Sequence, residues 1–129
     1  YPEEILSKLK TCVKKGGVLL VSLPNVANAY VRLNLLLGRF PYYSKGLLDS
    51  SHLRFYTRKS GERLCIKTGW EIMGREYTSI PVAMVFPFLR KGPFRLFLIW
   101  LRGMTLVFKS LFCYQFLLFC RNPNEADLL

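Results

Sequence analysis

The sequence predicts an α/β fold, a few strands flanked by helices, and three observations carry that expectation. Residues 2–14 show an amphipathic helical pattern that stops at Gly16, residues 18–23 follow as an almost continuous apolar run, and residues 114–121 close the chain as another apolar strand. A continuous apolar run is the pattern of a strand covered on both faces, as in a parallel sheet. A helix that leads through a glycine stop into such a strand is the second half of a βαβ unit.

Each element has its own signals. Pro2 suits a first helical turn, and Glu3 and Glu4 complement the positive end of the helix. Ile5, Leu6, Leu9 and Val13 share one face, Lys14 and Lys15 suit the C-terminal end, and Gly16 suits the left-handed stop. A helix that begins at once predicts a piece of a longer chain. Pro24 and Asn25 form the exit turn of the first strand. Residues 27–38 read as a helix with Tyr30, Leu33, Leu36 and Leu37 on one side and Gly38 at its end. Residues 39–57 form a long aromatic-rich loop, a length that marks a functional segment inside a compact domain. Thr57 or Ser60 caps a short helix that ends at Gly69, and residues 70–78 form a weak strand. Pro81, Pro87 and Pro93 break up a connector, residues 94–112 read as one strongly apolar helix, and the polar tail 122–129 is expected to fray.

The chain has 129 residues, enough for one small domain or part of a larger one, and at 51% hydrophobic it is too apolar for a disordered tail. Its net charge of +11 is unevenly placed. No acid lies between Glu4 and Asp49, where seven Lys or Arg occur, and none lies between Glu76 and Glu125, where six occur. Such one-sided charge either favours anionic partners such as phospholipid, phosphorylated sugars or nucleic acid, or reflects acids that sit in a missing half of a longer chain. No recognition motif supports nucleic acid as that partner. The four cysteines form no CxxC pair and there is a single histidine, so no metal site is predicted and the thiols are expected to be buried and reduced.

Several residues carry candidate chemistry. Asn25 follows the C-terminal end of the first strand, where open α/β sheets bind ligands; it either holds a substrate hydroxyl or only makes the turn. His52 on the long loop either acts as a general base or pins the loop through Asp49 or a backbone carbonyl. Arg54, with Arg58 and Lys59 beyond it, suits phosphate or carboxylate. Tyr43 and Tyr56, with Tyr42 and Phe55, either wall a pocket or anchor the loop. Arg95, Arg102 and Lys109 recur every seven residues and form one stripe on the apolar helix. That helix packs on the sheet with the stripe in solvent, lies on a membrane with the stripe at the head groups, or spans the bilayer.

Four pieces occur in an order that resembles one family: Lys14-Lys15-Gly16-Gly17 through Pro24-Asn25, His52-Leu53-Arg54-Phe55-Tyr56-Thr57, Thr68-Gly69-Trp70, and Tyr114-Gln115-Phe116. They resemble the C-terminal half of bacterial class I methyltransferases dependent on S-adenosylmethionine, of the type associated with polysaccharides and glycolipids. Lys15 stands where that family usually has Pro. The resemblance implies the last three strands of a Rossmann-like seven-stranded sheet with its final strand antiparallel, residues 1–121 forming that portion and 122–129 a tail. It implies that the cofactor sits on a Gly-rich turn and a ribose-binding acid in the missing N-terminal half, so the isolated chain is expected to bind none and to be inactive. The intact parent would methylate a hydroxyl of a sugar, glycolipid or lipid-linked envelope precursor, in the cytoplasm or at the inner face of the membrane. The alternative is a non-catalytic membrane-surface or interaction module derived from the same fold.

Overall fold

The computed structural model describes residues 1–44, 46–79 and 94–123. The elements are α1 (Pro2–Cys12), β1 (Val18–Pro24), α2 (Ala29–Leu36), α3 (Arg58–Lys67), β2 (Glu71–Ser79), α4 (Phe94–Val107), α5 (Lys109–Phe112) and β3 (Cys113–Arg121). The expected connector with Pro81 and Pro87 lies outside the described residues, as does the tail beyond Pro123.

Among the described residues the architecture is mixed α/β, with a sheet of three strands in the order β1-β3-β2. Both pairings are antiparallel, Val18 to Pro24 running against Arg121 to Gln115 and Glu71 to Ser79 against Arg121 to Cys113. β1 and β2 therefore run parallel to each other, and the last strand of the chain lies between them and runs against both, so the parallel pairing suggested by the apolar run of residues 18–23 is not made among the described residues.

One face of the sheet carries the main core. Leu6 of α1, Leu64 and Cys65 of α3, Trp70, and Phe116, Leu118 and Cys120 of β3 are buried together, with Leu19, Val21 and Leu23 of β1 against them. Burying a side chain of the size of Phe116 is worth about 1.5–3 kcal/mol. The Trp70 indole donates from Nε1 to the Leu6 carbonyl at 3.1 Å and ties the end of α3 to α1. A bulge between Ile72 and Gly74 makes an odd-numbered shift in β2, so Ile72 and Tyr77 both face this core opposite Cys120 and Phe116.

The expected double cover of β1 is absent. Its burial alternates, with Val18 59% and Leu20 52% exposed on the second face. A continuous apolar run cannot distinguish two covered faces from one covered and one bare. The outward side of α2 is also apolar: Val31 is its buried anchor, while Tyr30, Leu33, Leu36 and Leu37 face away.

Both ends of the helices follow local chemistry. Gly16 takes φ 75° after α1 and Gly69 takes φ 78° after α3, the left-handed stops that favour glycine. Thr57 caps α3 by accepting from the Ser60 N–H, and the Ser60 side chain accepts from the Thr57 N–H in return. Asn122 is not a frayed tail residue. It is 2% exposed and donates from Nδ2 to the carbonyls of Lys10 and Val13 at 3.0 and 2.6 Å, closing the end of α1.

Gly61 lets α3 approach the sheet, since a Cβ there would stand 2.8 Å from Phe116 Cε2 and 2.9 Å from Leu23 Cδ1. Gly61→Ala is expected to destabilise the fold by about 1–3 kcal/mol through overpacking, despite the better helix propensity of Ala. Urea unfolding checks it; an unchanged or raised midpoint would show that α3 shifts without cost.

Candidate functional site

The C-terminal end of β1 gathers the candidate residues, and it does so through buried amides. Asn25 is 1% exposed. Its Nδ2 lies 3.0 Å from the carbonyls of both Ser110 and Cys113, and its Oδ1 accepts from the Ala27 N–H at 3.1 Å. Asn28, also 1% exposed, donates from Nδ2 to the same Cys113 carbonyl at 2.8 Å and caps α2 by accepting from the Tyr30 N–H. The Asn25 amide is thus spent on the turn and on β3, and a substrate hydroxyl would reach it only by breaking this network.

Tyr56 lies beside Asn25: the Val26 N–H donates to the Tyr56 carbonyl at 3.1 Å, and Asn25 and Tyr56 form a parallel bridge. The Tyr56 ring packs on the main core, and burial raises its phenol above the ordinary tyrosine range. The rest of the long loop has a core of its own. Leu47 and Leu48 are buried against Val31 of α2, with Phe40, Phe55 and Tyr114 around them. Phe40 meets Tyr42 and Phe55 edge-on, at 5.5 and 5.6 Å between ring centres. Phe55 is therefore a loop anchor, whereas Tyr42 is 60% exposed.

Tyr43, Asp49 and His52 form a second group. Tyr43 bridges to Asp49 in the backbone, and the His52 N–H donates to the Asp49 carbonyl at 3.0 Å. Hydrogen bonds from Ser51 hold the Asp49 carboxyl below the usual range. His52 Nδ1 is buried and has no hydrogen-bond partner among the described residues. The Tyr43 hydroxyl meets the Tyr30 hydroxyl at 2.9 Å, and that contact raises the Tyr43 phenol above its ordinary value. Arg54 is exposed, and its charge lies near enough to Tyr56 to oppose the rise of that phenol.

Arg58 and Lys59, named with Arg54 from the sequence, converge with Arg32, which was not named. A cavity of about 360 Å³ is lined by Arg32, Arg58 and Lys59, together with Ala27, Thr57 and Ser110, directly beside the Asn25 turn. Arg32 is held there by its Nε, which donates to the Ala27 carbonyl at 2.6 Å. Among the described residues no acidic side chain lines this cavity, although Glu62 pairs with Arg58 at its rim. Sequence reading missed Arg32 because its partners lie on the far side of the loop, whereas Asn28 carried a visible signal as a helix N-cap. A wider cavity lined by Ile66, Trp70, Glu71 and Pro123 sits at the opposite ends of the strands, away from all these residues.

The expected basic stripe is broken. The chain leaves helical geometry at Phe108 (φ −107°, ψ 59°), so α4 carries Arg95 and Arg102 while Lys109 starts α5. Lys109 Nζ sits 5.1 Å from the centre of the Tyr77 ring and is withdrawn from the stripe. Among the described residues no helix is long and apolar enough to cross a membrane. Cys65, Cys113 and Cys120 are buried, but Cys12 is exposed. Contact with Cys65 and burial push the Cys120 thiol far up.

No family model and no curated protein matches this chain.

Glu62 joins α3 to β2 and to the rim of the basic cavity, accepting from Arg58 Nη1 at 2.9 Å and from Arg75 Nε at 2.8 Å. Burial pushes its carboxyl up, but the hydrogen bonds from Arg75 and Arg58 outweigh burial and hold it below the ordinary range. A depressed folded-state value gives stability that is complete above the unfolded value of about 4.3 and is lost as pH falls through the folded value. Glu62→Gln is therefore expected to flatten the loss of stability on acidification by on the order of 1 kcal/mol. Urea midpoints between roughly pH 3 and 6 check this; parallel acid limbs in the two proteins would show that the pair contributes nothing.

Proposed function

We propose that the chain is the C-terminal portion of a methyltransferase dependent on S-adenosylmethionine, and that it supplies the far edge of the sheet and the substrate side of the site. The observation that carries this reading is the arrangement of strands: β1 and β2 run in one direction, and the closing strand runs against both. That agrees with a sheet whose last strand is antiparallel. The outer edge of β1 and the bare face at Val18 and Leu20 offer a further strand and helix a place to continue the sheet.

The described residues do not themselves fit the cofactor. Gly16 and Gly17 precede β1, and the Gly17 carbonyl accepts from the Asn122 N–H at 2.9 Å, so this glycine pair is structural and lies at the wrong end of the strand. No step of the transfer is assigned to these residues through the cofactor. What they supply is position: the Val26 N–H bond to the Tyr56 carbonyl ties the long loop to the C-terminal end of β1, beside the Arg32–Arg58–Lys59 cavity. The substrate is a hydroxyl-bearing sugar or lipid-linked precursor, and the cavity suits an anionic group on it. The place of action is the cytoplasm or the inner face of the membrane.

Two outcomes are expected. Calorimetric titration of this chain with S-adenosylmethionine gives no saturable signal, whereas the parent with its N-terminal half binds in the micromolar range. Saturable micromolar binding to the chain alone overturns the reading. In the parent, His52→Ala and Arg54→Ala reduce turnover more than they reduce the melting temperature. If both only lower the melting temperature, with turnover per folded molecule unchanged, the two residues serve only to hold the loop.

A further inference from the structure

Helix α4 is covered on one side and bare on the other, and the bare side is apolar. Leu101, 8% exposed, and Thr105, 2% exposed, mark the covered face, which lies towards β2. The Thr105 hydroxyl donates to the Leu101 carbonyl at 2.9 Å and so needs no water. At about 100° per residue, Leu96, Trp100 and Val107 point the opposite way. They are 71%, 55% and 72% exposed, and Ile99 on the same side is 58% exposed. Phe97 stacks on Trp100 with 5.9 Å between ring centres and widens the surface. Arg95 and Arg102, both exposed, run along one border of this face. Solvated helices put polar residues opposite their buried stripe. Here the position opposite is the most hydrophobic part of the helix.

We propose that the outward face of α4 docks on an anionic phospholipid surface. The helix lies in the plane of the interface, with Leu96, Trp100 and Val107 entering the acyl boundary and Arg95 and Arg102 meeting the head-group phosphates. Charge complementarity selects this occupant. α4 itself carries Arg95 and Arg102 and no acid, and the one acid that shares a cavity with it among the described residues is Glu76 of β2, beside Arg102. A second copy of the chain would set Arg95 and Arg102 against their own kind. A strand and helix that continue the sheet would join at β1, whereas α4 packs at β2, the other end of the strand order. The helix is 14 residues long, too short to span but sufficient to lie on the surface. Indole rings favour that boundary, and long basic side chains reach from apolar surroundings to head groups. Lys109, held over Tyr77, takes no part. The inference does not depend on methyl transfer and stands or falls separately from it.

The chain carries its own reporter. It has two tryptophans, and Trp70 is 2% exposed with its indole bonded in the core, so a change in emission on binding belongs to Trp100. Vesicles of phosphatidylglycerol and phosphatidylcholine in low salt are expected to shift the emission to the blue, and brominated acyl chains to quench it. Pure phosphatidylcholine should do neither, and high salt should reverse both effects. Arg95→Gln with Arg102→Gln should weaken co-sedimentation by roughly tenfold or more with an unchanged circular dichroism spectrum, and the two Lys replacements should retain binding. Trp100→Phe should abolish the optical change while co-sedimentation persists. Equal affinity for neutral and anionic vesicles overturns the proposal, as does absence of binding at low salt. So does a blue shift that grows with protein concentration without lipid, which would assign the face to self-association.

Discussion

Three buried asparagines hold the central strand at its two ends, and the rest of the molecule is arranged around them. Asn25 and Asn28 both donate to the Cys113 carbonyl at the start of β3. Asn122, just past its end, donates to the last carbonyls of α1, while its backbone exchanges hydrogen bonds with Gly16 and Gly17. A buried amide costs free energy unless its hydrogen bonds are made, typically about 1–3 kcal/mol for one left unsatisfied. Asn25 and Asn28 therefore favour the fold only when β3 is in register, whereas Asn122 satisfies its Nδ2 and leaves its Oδ1 buried without a partner among the described residues. Because β1 and β2 meet solely through β3, that register also sets the distance between them.

The consequence for function is spatial. The Cys113 clamp fixes the end of β1, the start of β3 and the short helix α5 as one unit, since Asn25 also reaches the Ser110 carbonyl. The loop then builds its own small core on Val31 and Tyr114, and the basic cavity forms where α2, α3 and α5 converge. Two apolar surfaces are bare among the described residues, and they differ in kind. The β1 face, at Val18 and Leu20, belongs to an edge strand, and the α4 face is a helix bordered by arginines.

Much of this was legible in the chain. The Gly16 and Gly69 stops, the Thr57 cap and the three strands follow from local chemistry that neighbouring residues already contain. What was hidden depends on residues distant in sequence. The bare second face of β1 and the outward apolar side of α2 give the same hydrophobic pattern as covered ones. The break at Phe108 lies inside an unbroken apolar run, and it separates Lys109 from Arg95 and Arg102. Asn122 looked like a polar tail because its partners, Lys10 and Val13, are more than a hundred positions away. Arg54 stood out beside an aromatic run, yet Arg32 occupies the cavity, since convergence in space rather than spacing decides it.

The clamp itself can be measured by hydrogen exchange on the Asn25→Ala, Asn28→Ala double variant. If the clamp at the start of β3 supports the loop as well, the residue 25 N–H bonded to Tyr114, the Val26 N–H bonded to Tyr56 and the Tyr43 N–H bonded to Leu48 should lose protection together. The amides of Leu64 to Thr68 in α3 should keep theirs. If protection falls only at residues 25 to 28 while Tyr43 exchanges as before, the loop holds itself in place and the asparagine clamp is not what organises the site.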